Sequence, residues 1–344
     1  SAHLPAYNQN KKCKVIAIFG RDIKKLKFFQ KKYKIKKIYT NFNLMLKDDE
    51  IQLFSLVMPP FLHFKYAKKI IENKKSIFCE KPFTSNKLES NDLTILSKKK
   101  RNDNFVSYQM RYQPLRKKIK SIIKNKKLGK ILNVHLSFDY SSRLYDDLNF
   151  NWWSSKKKGG GVLRALGSHQ LDLLNWWFGK PKKVIALQSN FIKKRFNRKT
   201  KKKQKVDSDD IAQIILCFKD FNCTISLSSV AIGWKNSVMQ IYGSKASLFL
   251  KGENKLFLIK KTKKEKQEKA KEIDVSIKEN FFKFKWVGRS IWKAALLRQI
   301  NNIIDHKLNN AKYLGASFED ANNVNKIISA AVSSIKKKKF ITIR

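Results

Sequence analysis

Three consecutive glycines at 159–161 precede a segment that carries a histidine and an aspartate. The spacing predicts one helix on which Ala165, His169 and Asp172 share a face, because residues three or four apart lie on the same side. An imidazole has an unperturbed pKa of about 6.5, so this face could exchange protons near neutral pH. We predict that it forms the floor of an active site. The competing interpretation is a packed helix in which His169 and Asp172 bind each other.

A second candidate is the tripeptide Glu80-Lys81-Pro82, which follows the apolar segment 76–79. That segment reads as a buried strand, and ligands of parallel sheets bind beyond the carboxyl ends of the strands. A lysine at such a place can donate to a substrate oxygen. Partial burial lowers its pKa and makes it a proton carrier. The competing interpretation is an ion pair that closes the strand.

Strands that alternate with helices must position these residues in the first third of the chain. Apolar runs at 15–19, 51–58, 76–79 and 104–110 alternate with helical patterns at 22–33, 63–73 and 88–100. This alternation predicts βαβ units and a Rossmann-like, doubly wound parallel sheet. Such a fold starts with a strand and a Gly-x-Gly-x-x-Gly turn. No glycine precedes Gly20 and segment 1–8 reads as the first helix, so we expect one strand and one phosphate loop to be missing before it.

After Arg111 the pattern changes to an α+β domain with a large, open, mostly antiparallel sheet. Its predicted strands lie near 131–140, 183–191, 210–218, 221–230, 236–242 and 246–250. Its predicted helices are 115–126, the glycine-opened helix to Phe178 and the closing helix 318–334. The charge runs 193–205 and 260–271 are predicted to be exposed loops or hairpin tips. The predicted domains are 1–112 and 113–344, with the last helix a candidate to pack back on the first domain.

The net charge of +50 does not by itself indicate a nucleic-acid-binding protein. Only 11 of the 76 basic residues are arginine, the residue type that reads bases and clamps phosphates. The lysines are spread over the whole chain, so we expect no specific nucleic-acid partner. General attraction of polyanions stays open as a hypothesis, because so positive a field draws anionic ligands at low salt.

Cysteine usage and hydropathy favour a cytoplasmic protein. The four cysteines are scattered and form no CxxC pair, so neither a metal site nor a disulfide framework is predicted. The chain has no apolar run of the roughly 20 residues that cross a bilayer, and no secretory signal opens the sequence. We therefore expect no membrane partner.

Four motifs together resemble the Gfo/Idh/MocA family of oxidoreductases. They are Met58-Pro59-Pro60-x-x-His63, Glu80-Lys81-Pro82, Gln109-Met110-Arg111-Tyr112 and the segment 159–172, and their order and spacing agree throughout. The resemblance implies an NAD(P)-binding Rossmann domain, followed by a domain whose open sheet commonly builds homodimers or homotetramers. It also implies hydride transfer between nicotinamide and a sugar, polyol or related hydroxyl or keto substrate.

The resemblance also assigns roles to individual residues. Lys81 matches the lysine that contacts nicotinamide and substrate, and His169 matches the histidine beside the reacting carbon. The catalytic candidates are Lys81, His169 and Asp172. The cofactor candidates are Gly20, Arg21, Met58, Pro59, Pro60, His63, Glu80, Lys81 and Arg111. The substrate candidates are Trp153, Lys81 and His169.

Two positions depart from the family pattern. Ala165 stands where many relatives keep an aspartate, which leaves proton transfer to His169 or Lys81, with Asp172 orienting the imidazole. Arg21 follows the strand that ends at Gly20, and an arginine there accommodates the 2′-phosphate of NADP, whereas Asp22 keeps NAD open. The family also contains members with redox-neutral, nicotinamide-assisted glycoside cleavage and members that resemble non-catalytic cofactor-binding proteins, so both stay as alternatives.

Overall fold

Two sheet systems organise the chain, a parallel one in the first third and a large mixed one in the remainder. The computed structural model describes residues 2–145, 147–233, 236–263, 268–275 and 281–344. The elements of the first part are α1 (His3–Asn8), β1 (Ala17–Phe19), α2 (Ile23–Tyr33), β2 (Lys37–Tyr39), α3 (Phe42–Leu46), β3 (Leu53–Leu56), α4 (Pro60–Glu72), β4 (Ser76–Cys79), α5 (Lys87–Lys100) and β5 (Asn104–Val106).

The predicted parallel strands are confirmed, and they fall into two groups. Strand β1 pairs with β2, and β3 pairs with β4, which pairs with β5; every pairing is parallel. All four residues of β4 are buried, as a strand covered on both faces requires. The strand β2 and the helix α3 were not predicted, because their short apolar runs carry little periodicity.

Several boundaries differ from the predicted ones because prolines and tight turns end the strands early. Pro60 begins α4 with Pro59 as its N-cap, so β3 ends before the predicted residue 58. Strand β5 ends at Val106, since residues 109–112 form a 3₁₀ turn instead of continuing the strand to 110.

A groove of about 490 Å³ lies between β1 and β3, which each pair on one side only among the described strands. Residues of both strands line it together with side chains of α1 and α9, including Tyr7 and Ile304. The expectation of a further strand and phosphate loop stays a prediction.

Among the described residues, the second part contains a nine-stranded sheet and five α-helices. Its elements are α6 (Pro114–Lys124), β6 (Ile131–Asp139), α7 (Val162–Ala165), α8 (Gly167–Phe178), β7 (Lys183–Ser189), β8 (Lys194–Asn197), β9 (Lys202–Lys205), β10 (Ile211–Cys217), β11 (Asn222–Ser228), β12 (Asn236–Gly243), β13 (Ala246–Lys251), β14 (Lys255–Lys260), β15 (Ala270–Glu272), α9 (Ile291–Asn309), α10 (Phe318–Lys337) and β16 (Ile341–Thr342). The large sheet has the order β15-β14-β13-β12-β6-β11-β10-β7-β16. Only β6 and β11 pair in parallel within it, so the predicted, mostly antiparallel sheet is confirmed.

Side-chain alternation along the large sheet separates a buried face from an open one. Val134, Leu136 and Phe138 of β6 are at most 5% exposed and belong to the main core. On the other face Leu187 is 65% exposed and Ile215 is 38% exposed. This open face also holds a shallow cavity of about 470 Å³.

The charge run 193–205 forms an antiparallel hairpin, β8–β9, which is the second of the two predicted alternatives. In the other run β14 and β15 form the hairpin arms, and residues 264–267 at its centre lie outside the described residues. The helix α10 lies against the first part of the chain, where Ser90 Oγ donates to Asn322 Oδ1 at 2.7 Å and the rings of Phe83 and Phe318 are 4.3 Å apart. No helix among the described residues is long and apolar enough to span a membrane.

Candidate active site

The loop after β4 holds Lys81 beside a buried carboxylate. Glu80 Oε1 accepts hydrogen bonds from His3 at 2.7 Å and from Ser107 at 3.0 Å, while its Oε2 accepts from the Lys81 N–H at 3.0 Å. Burial alone would raise the pKa of Glu80, but the His3 hydrogen bond and the neighbouring positive charges lower it below its usual range. Glu80 is therefore ionised and fixes the backbone from which the Lys81 side chain extends.

The Lys81 ammonium reaches across to the second part of the chain. Its Nζ donates to the Ala165 carbonyl oxygen at 2.9 Å. Burial lowers the pKa of Lys81, and the charge of Glu80 opposes that effect. The contact places this amine at the end of α7, 84 residues along the chain.

The predicted single helix over the stretch 162–178 is wrong, because it breaks at Leu166 into α7 and α8. The His169 N–H donates to the Leu166 carbonyl at 3.1 Å and not to that of Ala165. Hence the Ala165 carbonyl is free to accept from Lys81. Ala165 does not continue the stripe of His169 and Asp172; it contributes a main-chain oxygen where many relatives offer a carboxylate.

The His169 imidazole is a buried, neutral group. It is 2% exposed, and its Nδ1 has no hydrogen-bond partner in the described part of the chain. Burial, assisted by the charge of Lys81, holds its pKa well below the usual range. The rings of Trp292 and Tyr108 contact it edge-on, at 5.3 and 5.8 Å between centroids. A neutral imidazole with a free ring nitrogen can exchange a hydrogen bond with a substrate hydroxyl.

Asp172 and Arg111 bind each other instead of lining the reaction centre. Arg111 Nε donates to Asp172 Oδ2 at 2.8 Å, and Nη2 donates to Oδ1 at 2.6 Å. Both side chains are at most 3% exposed. Arg111 also donates to Gly315 O at 3.1 Å and lies 3.2 Å from an Asp320 oxygen. This geometry lends no support to the predictions that Asp172 orients His169 and that Arg111 lines the cofactor, because the two side chains bind each other; both stay predictions.

Burial also removes His63 from the predicted cofactor contacts. Its ring is 0% exposed and lies 2.8 Å from Met58 O and 3.0 Å from Phe83 O, so it ties the loop after β3 to the loop after Lys81. Met58 and Pro59 are half-buried at the carboxyl end of β3. Gly20 and Arg21 follow β1, and the Arg21 side chain is exposed. The carboxyl ends of β1, β3 and β4 therefore still present candidate cofactor residues.

The glycine run is required by close packing. A Cβ on Gly160 would lie 2.1 Å from the Trp153 carbonyl oxygen, and a Cβ on Gly161 would lie 2.0 Å from Asp209 Oδ1. Gly161 also has a φ of +100°, which favours glycine. Asp209 Oδ2 accepts from Leu163 N at 2.8 Å and thereby caps α7. Asp209 was not among the predicted site residues, although the sequence Asp209-Asp210 directly ahead of a strand fits the family resemblance.

The predicted substrate residue Trp153 is half-buried next to this turn. Its carbonyl accepts from Gly161 N at 3.2 Å, and the guanidinium of Arg143 lies 5.4 Å from its ring centre. The aromatic neighbour Trp292 of His169 was also missed, since it lies at the start of a helix that the sequence did not reveal. Within the described ranges, no group of three or more His, Cys, Asp or Glu side chains could hold a metal ion.

Two family models match almost the whole chain. Residues 1–108 match the model described as "Oxidoreductase family, NAD-binding Rossmann fold", and residues 120–343 match "Oxidoreductase family, C-terminal alpha/beta domain" of the same Gfo/Idh/MocA group. An uncharacterized oxidoreductase of Synechocystis, sll0816, is 30% identical over 256 residues, which are 74% of this chain and 69% of that protein. Oxidoreductase P35 of Formosa agariphila is 24% identical over 183 residues, or 52% of this chain and 57% of that protein.

Solved structures share the fold at low sequence identity. An NAD-binding oxidoreductase from Klebsiella pneumoniae has a TM-score of 0.89 at 19% identity and covers 100% of this chain and 96% of its own. A levoglucosan dehydrogenase in complex with NADH and L-sorbose has a TM-score of 0.87 at 17% identity, with 100% and 95% covered. At these identities the likeness establishes the fold alone.

Proposed function

Because this chain belongs to the Gfo/Idh/MocA oxidoreductase family, we propose that it transfers a hydride between a nicotinamide cofactor and a hydroxyl or keto group of a sugar, polyol or related substrate. The observation that carries this proposal is the contact of Lys81 Nζ with Ala165 O at 2.9 Å. It joins the carboxyl edge of the parallel sheet to the helix pair that carries His169. The contact thus brings together the two parts of the chain that carry the protonated Lys81 and the neutral His169.

The residues at the sheet edge fit a dinucleotide. Strand ends of this kind bind ligands in a crevice beyond their carboxyl ends, where Gly20, Arg21, Pro59 and Lys81 lie. The exposed Arg21 guanidinium and the unpartnered Nδ1 of His169 offer polar groups to an occupant. When bound, the nicotinamide would supply the hydride acceptor or donor. The protein's own residues bind, orient and handle protons.

Lys81 and His169 divide the proton chemistry. The protonated Lys81 donates a proton to the substrate oxygen during reduction, and its neutral amine takes the hydroxyl proton during oxidation. Burial lowers the pKa of Lys81 and so brings it closer to neutral pH. The neutral His169 accepts or donates one hydrogen bond to the same carbinol. Ala165 O holds the ammonium in place without the additional charge that a carboxylate would bring.

We propose NADP as the preferred cofactor, with NAD as the alternative. The support is Arg21, which lies two residues after the end of β1 and has an exposed side chain. An arginine there suits a ribose 2′-phosphate. Structures with the same fold include one described as NADPH-dependent and others with NADH, so both cofactors occur on this scaffold.

The open face of the large sheet supports the proposal of a homodimer or homotetramer. Leu187 and Ile215 leave apolar surface on this face, beside the cavity of about 470 Å³. The four cysteines are free among the described residues, which suits the reducing cytoplasm that we propose as its compartment.

The test separates binding from chemistry. Fluorescence titration should give NADPH or NADH binding in the wild type and in Lys81→Met alike. In Lys81→Met and His169→Gln the turnover of sugars and polyols should fall by about 10²- to 10⁴-fold. The exposed Lys68→Met serves as the control for loss of a positive charge. Failure to bind either cofactor would sink the proposal, and cofactor binding with no net oxidation or reduction of any sugar would favour the redox-neutral alternative.

A further inference from the structure

The loop between β6 and α7 has a fixed shape because a buried arginine binds its backbone. Arg195 is 5% exposed, and its guanidinium donates to the carbonyl oxygen of Tyr145 at 2.8 Å and to that of Arg143. The Arg143 N–H donates in turn to Ser229 O at 2.8 Å. The backbone that carries the Arg143 side chain is therefore held on two sides.

Two donors in this loop lack acceptors. The Arg143 guanidinium lies 5.4 Å from the Trp153 ring centre. Arg143 Nη2 and Trp153 Nε1 are both buried and without a hydrogen-bond partner among the residues that the structure describes. Leaving such donors unpaired is costly, so two of them close together indicate that a group outside the described residues, a water or a ligand, accepts from them.

The charges around Arg143 do not supply that acceptor. Burial and the positive charge of Arg195 lower the pKa of Arg143, while Asp210 opposes them. The Asp210 Oδ2 already accepts from the N–H groups of Phe191 and Ile192, each at 2.8 Å. An arginine stays protonated across the physiological range, so a positive charge with free donor capacity lies in this loop.

Three successive hydrogen bonds link the loop to the proposed reaction centre. The Trp153 carbonyl accepts from Gly161 N at 3.2 Å, and Gly161 O accepts from Ala165 N at 2.9 Å. The Ala165 carbonyl then accepts from Lys81. A molecule that touches both Lys81 and Arg143 would therefore lie along the glycine turn.

We propose that Arg143 and Trp153 form a subsite for an anionic oxygen group, a carboxylate or a phosphate, on the sugar-like substrate. The planar guanidinium fork matches the two oxygens of either group, and the indole N–H adds a third donor. Stacking on the Trp153 ring keeps the fork in one orientation. The assignment of this group to the substrate rests on the proposed function; the anion site itself does not.

Calorimetric titration of D-glucose, D-glucuronate and D-glucose 6-phosphate tests the subsite, with and without saturating NADPH. The variants are Arg143→Met and Trp153→Phe, which keeps an aromatic ring but removes the five-membered ring of the indole with its N–H. Arg198→Met is the matched control, because Arg198 is exposed on the β8–β9 hairpin and its loss changes the net charge equally. Arg143→Lys retains the charge without the fork and covers the case in which the methionine variant fails to fold.

One or both anionic sugars should bind the wild type at least about 10-fold more tightly than glucose, as charge-assisted hydrogen bonds imply. Arg143→Met should abolish that preference, Arg143→Lys should reduce it, Trp153→Phe should weaken it about 3- to 10-fold, and Arg198→Met should leave it unchanged. Equal binding of all three sugars, no binding of either anion, or equal losses in Arg143→Met and Arg198→Met would each overturn the subsite. Which anion binds distinguishes carboxylate from phosphate.

The same titrations keep the two proposals apart. If the protein binds the anionic sugars but neither NADPH nor NADH, the result would support the subsite and refute the proposed function. If the protein binds a cofactor and turns over neutral sugars but shows no Arg143-dependent preference for anionic sugars, the result would support the proposed function and refute the subsite.

Discussion

Replacing Asp172 with asparagine removes the negative charge from the buried ion pair with Arg111. The pair has two hydrogen bonds, at 2.8 and 2.6 Å, and its side chains are 3% and 1% exposed. Breaking a buried pair by removing one partner costs about 3–5 kcal/mol, because the remaining charge stays in a medium that solvates it poorly. An asparagine keeps one acceptor oxygen, and Asp320 and Gly315 O still contact the guanidinium. We therefore expect a loss near the lower bound, about 3 kcal/mol.

Urea denaturation at neutral pH, followed by tryptophan fluorescence, measures this loss. The matched control is Asp305→Asn, whose partner Lys12 lies 2.8 Å away but whose ion pair is exposed, at 57% for the lysine and 40% for the aspartate. Exposed pairs contribute about 0–1 kcal/mol, so the control should change stability by less than that. Replacing both members of the buried pair by Arg111→Met and Asp172→Leu should recover part of the loss, since neither of the two buried charges is then left unpaired. Asp320, which loses its contact with Arg111, is 31% exposed and keeps its hydrogen bonds from Ser317.

The outcome also decides the role of Asp172. If its role is purely structural, turnover per folded Asp172→Asn molecule stays within about threefold of the wild type at temperatures well below unfolding, whereas loss of a general acid or base costs about 10²-fold or more. A stability loss no larger than that of Asp305→Asn would refute the energetic argument, and a large fall in turnover with unchanged stability would refute the structural role.

Three further predictions concern the cofactor, the proton carrier and the assembly. Arg21→Ser should weaken NADPH binding at least about 10-fold and leave NADH binding within twofold, because only the 2′-phosphate needs the guanidinium; equal losses in fluorescence titrations would contradict this. The rate of alcohol oxidation should rise with pH through a pKa below 10.5, because burial lowers the pKa of Lys81 and its neutral amine is the base; a pH profile that Lys81→Arg leaves unchanged would assign the base elsewhere. Leu187→Lys combined with Ile215→Lys should shift light-scattering mass toward the monomer, since charges on the open sheet face oppose burial; an unchanged mass would place the interface on another surface.

The sequence predicted most of the parallel strands because they read as continuous apolar runs, and β4 is also buried on both faces. The segment 76–79 is such a run, and β4 occupies it residue for residue. The short elements β2 and α3 were missed, since three to five residues carry too little periodicity to distinguish them from a loop. The long helix α9 was also not predicted.

The resemblance of the motifs, in residue type, order and spacing, to the Gfo/Idh/MocA family brought Lys81 and His169 into one hypothesis. The partners of each group were decided only by the tertiary structure. Asp172 lies three residues from His169 on a helix, yet its carboxylate binds Arg111. A buried carboxylate forms stronger hydrogen bonds with a guanidinium group than with a neutral imidazole. The sequence also could not show that the helix breaks at Leu166 and frees the Ala165 carbonyl for Lys81. Local spacing determines which side chains can share a face of a helix. Long-range packing determines whether each of them pairs with a charged group, accepts or donates a hydrogen bond to a main-chain group, or stays without a partner.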